Sequence, residues 1–313
     1  MLVLVSGAAG FIGSNLCQHL LDNGFEVRGV DSFSDYYPRS IKEQNISSLS
    51  GRAEFDLVEA DLVEADMDRL LDGVEAVFHL AAQAGVRNSW GQEFKMYSDN
   101  NILATQRLLE AAKNINLKRF IFASSSSIYG ESLDQPTRED SALRPVSPYG
   151  VSKAAGDHLC RLYHLNFGLP TVCLRYFTVY GPRQRPDMAF HRFLKAIAQG
   201  QDIRLFGDGS QSRDFTYVGD AVSGTVAALK GRPGEAYNLG GGQQMELMAV
   251  IRLMEEIVGR PARLCLEPVA KGDVRHTSAD ISKAGQELGF APKTELRQGL
   301  ALELAWLKEV YDL

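Results

Sequence analysis

The sequence is poor in several features, and each shortage argues against a class of protein. Only four cysteines occur among 313 residues, and their positions do not give the paired spacing of a zinc site. Scattered free thiols are typical of a reducing compartment, so we expect a cytoplasmic protein. The six histidines also lack metal-ligand spacing, and we predict no metal. No apolar run approaches the roughly 20 residues of a membrane helix, so no membrane partner is expected.

The chain has no excess of positive charge. Its 33 basic and 39 acidic side chains give a formal net charge of -6. A broad nucleic-acid surface needs a basic excess, so no nucleic-acid partner is expected, and any anionic ligand requires a local basic patch. The 45% hydrophobic content is enough for a sizeable core. At roughly 150 residues per domain, the length corresponds to about two structural units.

Short apolar runs alternate with longer amphipathic stretches along the first half of the chain. This alternation predicts an α/β fold, a doubly wound parallel sheet of the Rossmann type, with a smaller C-terminal α/β lobe. We predict a nucleotide-binding domain over 1–177, to which a segment near 214–235 returns, and a substrate lobe mainly over 178–313. The predicted strands are 2–6, 26–30, 76–80, 120–124 and 171–175, and the predicted helices are 13–23, 101–113 and 149–167.

A glycine-rich turn follows the first predicted strand. It reads Gly7-Ala8-Ala9-Gly10-Phe11-Ile12-Gly13. Glycines allow a pyrophosphate to approach the backbone, and the N-terminus of the next helix offers free N–H groups. The spacing departs from the usual Gly-x-Gly-x-x-Gly, so the turn alone also fits an ordinary connection between strand and helix.

An acidic residue at the end of the second strand favours the cofactor reading. Asp31 lies about 20 residues beyond the loop, where a carboxylate accepts both ribose hydroxyls and repels a 2′-phosphate. The adjacent Ser32 is too small to reverse that choice, so we predict NAD as the cofactor. Strand-end residues predicted to border the cofactor, or simply to pack there, are Asp61, Leu62, Leu80, Ala81 and Ala82.

Tyr149 and Lys153 are one helical turn apart, which places them on the same helix face. A nearby ammonium lowers the pKa of a phenol and makes it a usable base, which we expect of Lys153. The same spacing also fits a surface helix pair. The serines at 124–127, which follow a predicted strand, favour the catalytic interpretation because a hydroxyl there can share the proton of a substrate alcohol.

Together these residues resemble the extended short-chain dehydrogenase/reductase superfamily, specifically its nucleotide-sugar epimerases and dehydratases. The resemblance covers essentially the whole chain. It implies Tyr149 as the base, Lys153 as its partner and Ser125 as the assisting hydroxyl, and it adds Asn100, Ser124 and Tyr176 to the NAD site. It also implies a homodimer with a four-helix interface. Later motifs that carry it are Arg175-Tyr176-Phe177, Gly207-Asp208-Gly209, Arg213-Asp214-Phe215 and Asp273-Val274-Arg275.

The resemblance also narrows the reaction. The related sugar dehydratases have Asp and Glu directly after the catalytic hydroxyl, where this chain has Ser126 and Ser127. Serine cannot perform that acid/base chemistry, which disfavours dehydration. The Glu of the related UDP-glucuronate decarboxylases is also missing. Reversible oxidation at C4 remains, which means epimerisation of a UDP-sugar.

Two segments, 83–87 and 178–189, are similar to UDP-glucuronic acid 4-epimerases, although Arg183-Gln184 departs from their pattern. Ser126, Ser127, Thr178 and Arg185 are the predicted carboxylate site, with a loop-stabilising role for the last two as the alternative. A UDP-glucose/UDP-galactose 4-epimerase and a non-catalytic NAD-binding scaffold remain open as alternative functions. Further substrate-binding arginines implied by the resemblance, mainly for the diphosphate, are Arg87, Arg192, Arg204, Arg213 and Arg275.

Overall fold

The computed structural model describes residues 1–132 and 135–313. Strands and helices alternate along it as predicted. The strands in chain order are β1 Leu2–Ser6, β2 Glu26–Asp31, β3 Phe55–Glu59, β4 Ala76–His79, β5 Arg119–Ser125, β6 Thr171–Tyr176, β7 Thr178–Tyr180, β8 Asp202–Phe206, β9 Ser212–Tyr217, β10 Ala236–Leu239, β11 Gln244–Glu246 and β12 Arg263–Glu267. The α-helices are α1 Phe11–Asp22, α2 Arg39–Ile46, α3 Met67–Leu71, α4 Phe94–Tyr97, α5 Ala104–Ala112, α6 Pro148–Phe167, α7 Ala189–Gln199, α8 Val218–Ala227, α9 Leu247–Val258, α10 Ser282–Leu288 and α11 Leu296–Tyr311.

Seven strands form one sheet in the order β10-β6-β5-β4-β1-β2-β3. Every pairing within it is parallel. Val3, Leu4 and Val5 of β1 are fully buried, as expected for a central strand with helices on both faces. The predicted doubly wound fold is confirmed. Because the strand order reverses between β1 and β4, the carboxyl ends there are where ligands bind in such sheets.

The second half of the chain builds the smaller lobe and also returns to the large sheet. Strands β7, β9 and β11 form a three-stranded sheet, and β8 pairs with β12. The strand β9 therefore does not rejoin the large sheet as expected from the segment at 214–235. Instead α8 packs its Val218 and Val222 into the core of the large sheet, and β10 pairs with β6 beyond the predicted range. The boundary near 177 stays a prediction.

Residues near the two ends of α6 predict its bounds closely. The Ser147 side chain accepts a hydrogen bond from the Gly150 N–H at 3.1 Å, Pro148 lies in the first turn, and Gly168 ends the helix in the left-handed region at φ 70°. The predicted helix at 101–113 differs more. It begins as a π-helix, Ser98–Leu103, and continues as α5. In the described part of the chain, no helix combines the length and apolar character that crossing a membrane requires.

Candidate active site

A cavity of about 420 Å³ lies at the carboxyl ends of the large sheet. Its walls come from the segments that follow β1, β2, β4, β5 and β6, and from α6 and the segment after β7. Most of the predicted site residues meet there. Those that line the cavity are Gly7, Gly10, Phe11, Ile12, Gly13, Asp31, Ser32, Leu80, Ala81, Ala82, Asn100, Ser124, Ser125, Ser126, Ser127, Tyr149, Lys153, Tyr176, Thr178 and Arg185.

The glycine loop is built for close backbone approach. Gly7 has a φ of 71°, and a Cβ there would lie 2.9 Å from the Ala81 nitrogen. A Cβ on Gly13 would lie 2.0 Å from the Gly7 oxygen. Helix α1 has no side-chain cap at Gly10 and no acidic residue in its first turn. Its N-terminus therefore offers N–H groups and a positive dipole end to a diphosphate, which fits NAD.

Hydrogen bonds of buried polar side chains hold the backbone directly after β4 in place. The Ser6 hydroxyl accepts hydrogen bonds from the N–H groups of Leu80 and Ala81, each at 3.1 Å. Its own proton is thus left to donate to Nδ1 of His79 at 2.7 Å, and the opposite ring nitrogen, Nε2, pairs with Thr105 at 2.9 Å. Burial lowers the pKa of His79 to about 3, so the ring stays neutral. This network holds Leu80 and Ala81 at the cavity wall.

Asp31 occupies the predicted position but has a partner that the sequence analysis missed. Its carboxylate accepts from the backbone N–H groups of Ala9 at 3.1 Å and Phe33 at 2.8 Å. The buried Lys42 of α2 donates to the same carboxylate at 3.2 Å and also lines the cavity. A lysine on a short helix eleven residues later gives no sequence signal for such a role, since most helix lysines are solvated.

Asp61 and Leu62 are not among the residues that line this cavity. Asp61 is exposed and its carboxylate accepts from the Val63 N–H at 2.8 Å, which makes a local turn. Leu62 is buried in the core cluster that also contains Val30. These contacts are the ordinary strand-end packing that the sequence left open for the two residues, and a cofactor contact for them stays a prediction.

Lys153 and Tyr149 both face the cavity, but their electrostatics differ from the prediction. Burial raises the pKa of Tyr149 above its ordinary value, while a hydrogen bond with Ser125 and the charge of Arg185 partly lower it. The Lys153 ammonium donates to the Ala123 carbonyl at 2.7 Å. The net shift of the Tyr149 pKa is upward, opposite in direction to the lowering expected from Lys153. Burial lowers the pKa of Lys153 itself to about 8.

The four residues predicted to bind a carboxylate all line the cavity. Ser126 and Ser127 begin a short 3₁₀ helix after β5, and Thr178 begins β7. A Cβ on Gly150 would lie 2.5 Å from the Ser127 oxygen, so this serine packs directly against the start of α6 beside Tyr149. Three hydroxyls and a guanidinium thus share the cavity that contains the predicted base.

Arg185 is held by an acidic neighbour that the sequence analysis did not assign. Its Nε and Nη2 donate to the two carboxylate oxygens of Asp187, each at 3.0 Å. The alternative of a Thr178–Arg185 pair is not what the structure contains. Burial opposes the charge of Arg185, but Asp187 more than offsets it and the pKa of the guanidinium is raised.

The arginines predicted for the diphosphate do not line the cavity. Arg87 forms an ion pair with Asp273 at 2.7 Å and lies over the Phe206 ring. Arg213 donates through Nη1 and Nη2 to the carbonyls of Ser212, Val274 and Arg275, and a diphosphate contact for it stays a prediction. A Cβ on Gly272 would lie 3.1 Å from the Val86 side chain, so the segment that holds Asp273 and Arg275 borders the cavity wall at Val86.

Arg192 and Arg204 also lie away from the cavity lining. Arg192 is half-buried on α7, one turn after Met188, which does line the cavity. Arg204 is exposed on β8, where its neighbours Ile203 and Leu205 are buried. The alternation of β8 turns Arg204 away from the core of the lobe, and a substrate contact for it stays a prediction.

Tyr176 contacts the cavity without offering its hydroxyl to it, because that hydroxyl pairs with Thr225 at 2.7 Å. Two buried polar atoms that line the cavity have no hydrogen-bond partner among the described residues. They are Nε2 of Gln83 and Oγ of Ser124. Buried polar atoms are nearly always hydrogen-bonded, so these two fit a polar ligand in the cavity. In the described part of the chain, no group of three metal-ligating side chains forms.

A doubly wound sheet with a glycine loop, and with Ser125, Tyr149 and Lys153 in the same cavity, defines a dinucleotide-dependent enzyme of the short-chain dehydrogenase/reductase type. The chain belongs to the NAD dependent epimerase/dehydratase family, whose profile matches residues 3–240. The family and the NAD cofactor predicted from the sequence are thereby confirmed.

Similar proteins with individual names cover the whole length of the chain. A UDP-glucose epimerase of Bacillus subtilis, YtcB, described as uncharacterized, is 48% identical over 100% of this chain and 99% of its own. A UDP-glucuronate 4-epimerase of Thermodesulfobacterium geofontis is 39% identical over 99% of this chain and 97% of its own. The crystal structure of UDP-glucuronic acid 4-epimerase from Bacillus cereus, with UDP-glucuronic acid and NAD, has a TM-score of 0.97 at 47% identity, covering 99% of this chain and 100% of the other.

Proposed function

We propose that this enzyme interconverts UDP-glucuronate and UDP-galacturonate by NAD-dependent epimerisation at C4. The observation that carries the proposal is the carboxylate-binding set, Ser126, Ser127, Thr178 and Arg185, in the same cavity as Tyr149. A neutral sugar alcohol needs no guanidinium. The predicted reaction class, epimerisation of a UDP-sugar with NAD, agrees with the relatives and is confirmed at that level.

The chain's own residues supply the proton chemistry. The Tyr149 phenol accepts the proton of the C4 hydroxyl, and Ser125 hydrogen-bonds with that phenol and steadies it. NAD⁺, when bound, would supply a reversible hydride acceptor for C4, and its positive charge would favour the phenolate. Lys153, fixed by the Ala123 carbonyl, holds the ribose with its ammonium. Gly7, Gly13 and Asp31 hold the diphosphate and the adenosine ribose.

The carboxylate set protects an unstable intermediate. Oxidation of a glucuronate at C4 gives a β-keto acid, which loses carbon dioxide when the C5–C6 bond lies perpendicular to the ketone plane. Hydrogen bonds from Ser127 and Thr178, and the charge of Arg185, hold the carboxylate out of that orientation. Neither serine of the 126–127 pair can act as the acid that dehydration needs.

Parallel incubations test the proposal against its alternatives. Purified protein is given UDP-glucuronate or UDP-glucose without added cofactor, and the products are resolved by anion-exchange chromatography and NMR. We expect UDP-galacturonate as the main product, and turnover that is lowered by about 10² to 10⁴ in a Tyr149→Phe variant. Faster formation of UDP-galactose would establish the UDP-glucose alternative, which the name of the Bacillus subtilis relative favours. No turnover of either sugar by the wild type would support a non-catalytic scaffold.

We also propose a homodimer formed through α6. Val151, Leu162 and Leu165 lie along one stripe of this helix and are 48%, 52% and 66% exposed. Four apolar residues of α6, Leu159, Leu162, Tyr163 and Phe167, are candidates for such an interface from the sequence, and two of them are turned elsewhere. Tyr163 is buried and donates to Glu110, and Leu159 packs against the subunit core. The other two, Leu162 and Phe167, are exposed.

Light scattering tests the dimer. The wild type is expected at about twice the subunit mass of 34.4 kDa, and Leu162→Glu at the subunit mass. The matched control is Leu266→Glu, because Leu266 is 67% exposed on β12 and distant in sequence from α6. A wild-type mass that stays monomeric at all concentrations contradicts the proposal.

A cytoplasmic location stays a prediction, which rests on the free thiols, three of them buried.

A further inference from the structure

The guanidinium of Arg185 is only partly available to a substrate. The Asp187 carboxylate accepts hydrogen bonds from Nε and Nη2 in a side-on ion pair, and both N···O distances are 3.0 Å. Nη1 has no partner among the described residues, and Arg185 lines the cavity. The arginine therefore presents one free nitrogen, at an angle that Asp187 sets. Pro186 follows Arg185 and favours an extended backbone there, which further limits the directions in which the guanidinium can point.

Tyr36, from the segment after β2, contacts both members of the Arg185–Asp187 pair. The Tyr36 hydroxyl donates to Oδ2 of Asp187 at 3.3 Å, and the Arg185 guanidinium lies over the Tyr36 ring at 5.7 Å. Burial raises the pKa of Tyr36, so the phenol remains a donor at neutral pH. Gly85 has a φ of 108°, and a Cβ there would lie 2.9 Å from the Tyr36 oxygen. The place of this hydroxyl thus depends on glycine at position 85.

We propose that Asp187, supported by Tyr36, is a positioning residue that determines product fidelity rather than substrate affinity. This inference rests on the proposed function of the same cavity. Asp187 neutralises Arg185 before any substrate is present, and a sugar carboxylate then meets a pair whose net charge is zero. Asp187 therefore lowers the attraction for the carboxylate. In exchange it fixes the direction from which Nη1 reaches that carboxylate.

A loosened guanidinium has a specific chemical consequence. If the C5–C6 bond of the 4-keto intermediate turns perpendicular to the ketone plane, this bond breaks and carbon dioxide leaves. The electron pair of that bond forms the C4–C5 enolate, which takes a proton at C5 and gives the UDP-4-keto-pentose. The hydride removed from C4 stays on the cofactor when the 4-keto-pentose leaves before its C4 ketone is reduced. Each such event leaves one NADH, which absorbs at 340 nm.

The test compares Asp187→Asn with wild type on UDP-glucuronate. We expect the ratio of 4-keto-pentose to UDP-galacturonate to rise about tenfold, the value of one charge-assisted hydrogen bond of about 1.4 kcal/mol. Absorbance at 340 nm should rise in step. The Kd of UDP-glucuronate, measured by calorimetry, should stay equal or become tighter, because a like charge has been removed. UDP-glucose, which has no carboxylate to lose, should give no such product.

A second variant keeps the test decisive if Asp187→Asn folds poorly. Tyr36→Phe retains the ring under Arg185 and removes only the bond to Asp187, so it should raise the same ratio less. The double variant should raise it no more than Asp187→Asn alone, since Tyr36 acts through Asp187. The matched control is Asp202→Asn, which breaks a surface ion pair with Arg263. It should behave as wild type.

The outcomes separate this inference from the proposed function. Wild type that forms no UDP-galacturonate contradicts the proposed function directly, whatever the variants do. Wild type that forms it, with an unchanged product ratio in Asp187→Asn and Tyr36→Phe, overturns the inference alone. A weaker Kd for UDP-glucuronate in Asp187→Asn also overturns it, because Asp187 would then maintain the loop or the affinity rather than the orientation.

Discussion

Removal of the Arg185 side chain should separate uronate from hexose recognition. In the free enzyme Nη1 of Arg185 has no partner in the described part of the chain, so it supplies one charge-assisted contact to a sugar carboxylate. Such a contact contributes about 1.5 to 3 kcal/mol, which is roughly tenfold to 150-fold. Truncation also leaves Asp187 unpaired near the substrate carboxylate, and this repulsion places the expected loss toward the upper end.

The assay is kcat/KM of Arg185→Ala on UDP-glucuronate and on UDP-glucose, with NADH and 4-keto-pentose followed in the first. We expect a loss of about tenfold to 150-fold on the uronate and less than threefold on the hexose, with decarboxylated product. Arg252→Ala, which removes an exposed arginine of α9, serves as the control and should change neither value. An equal loss on both sugars without decarboxylation would refute the carboxylate site and favour the UDP-glucose alternative.

Three further changes test the base, the cofactor site and the lobe. Tyr149→Phe should lower turnover by about 10² to 10⁴, the usual value of a general base, while the circular dichroism spectrum and the NAD content stay as in wild type. The pKa of Lys153 is lowered to about 8, so the charge that holds the ribose is lost as pH rises through 8; the Kd of NAD should weaken by up to tenfold per pH unit above 8 in wild type and stay flat in Lys153→Arg. Burial raises the pKa of Glu303 well above its ordinary 4.5, so its contribution to stability is complete below pH 4.5 and declines as pH rises, when the unfolded chain ionises and the folded chain does not. The Gly181 N–H donates to Glu303 at 2.9 Å, and Gln in Glu303→Gln can still accept this bond. The variant should unfold at a higher urea concentration than wild type at pH 7, with no gain at pH 4. An equal stability difference at the two pH values would contradict a neutral Glu303 in the folded chain.

The parts of the site that the sequence predicted are those with local causes. The glycine loop follows β1 directly, and its close contacts lie within the loop or at the neighbouring strand end. The ends of α6 depend on Ser147 and Gly168, which act within one turn. Residues at the carboxyl ends of parallel strands meet at one edge of the sheet, so Asp31 and Ser125 could be placed without any knowledge of side-chain contacts.

The parts that the sequence could not supply depend on contacts between distant segments. Tyr36 reaches Asp187 across 151 positions, and no periodicity or spacing encodes that pair. Lys153 was assigned to the phenol because the two share a helix face, but the Ala123 carbonyl of β5 competes for its ammonium. Arg213 has the right charge for a diphosphate, but its bond from Nη2 to the Val274 carbonyl follows from no spacing in the sequence. Sequence gives the residue type, whereas the fold decides which partner it meets.

The residues of proton transfer and the guanidinium of Arg185 are supported by different parts of the fold. Ser125 and Lys153 are held by β5 of the large sheet, whereas Arg185 lies on the loop after β7. That loop is tied to α11, because the Gly181 N–H donates to the buried Glu303 carboxyl at 2.9 Å. A substitution in α11 can therefore shift Arg185 without moving the atoms of hydride and proton transfer. It follows that changes in the lobe should alter which sugar is accepted, and how often its carboxylate is lost, before they alter the rate of oxidation at C4.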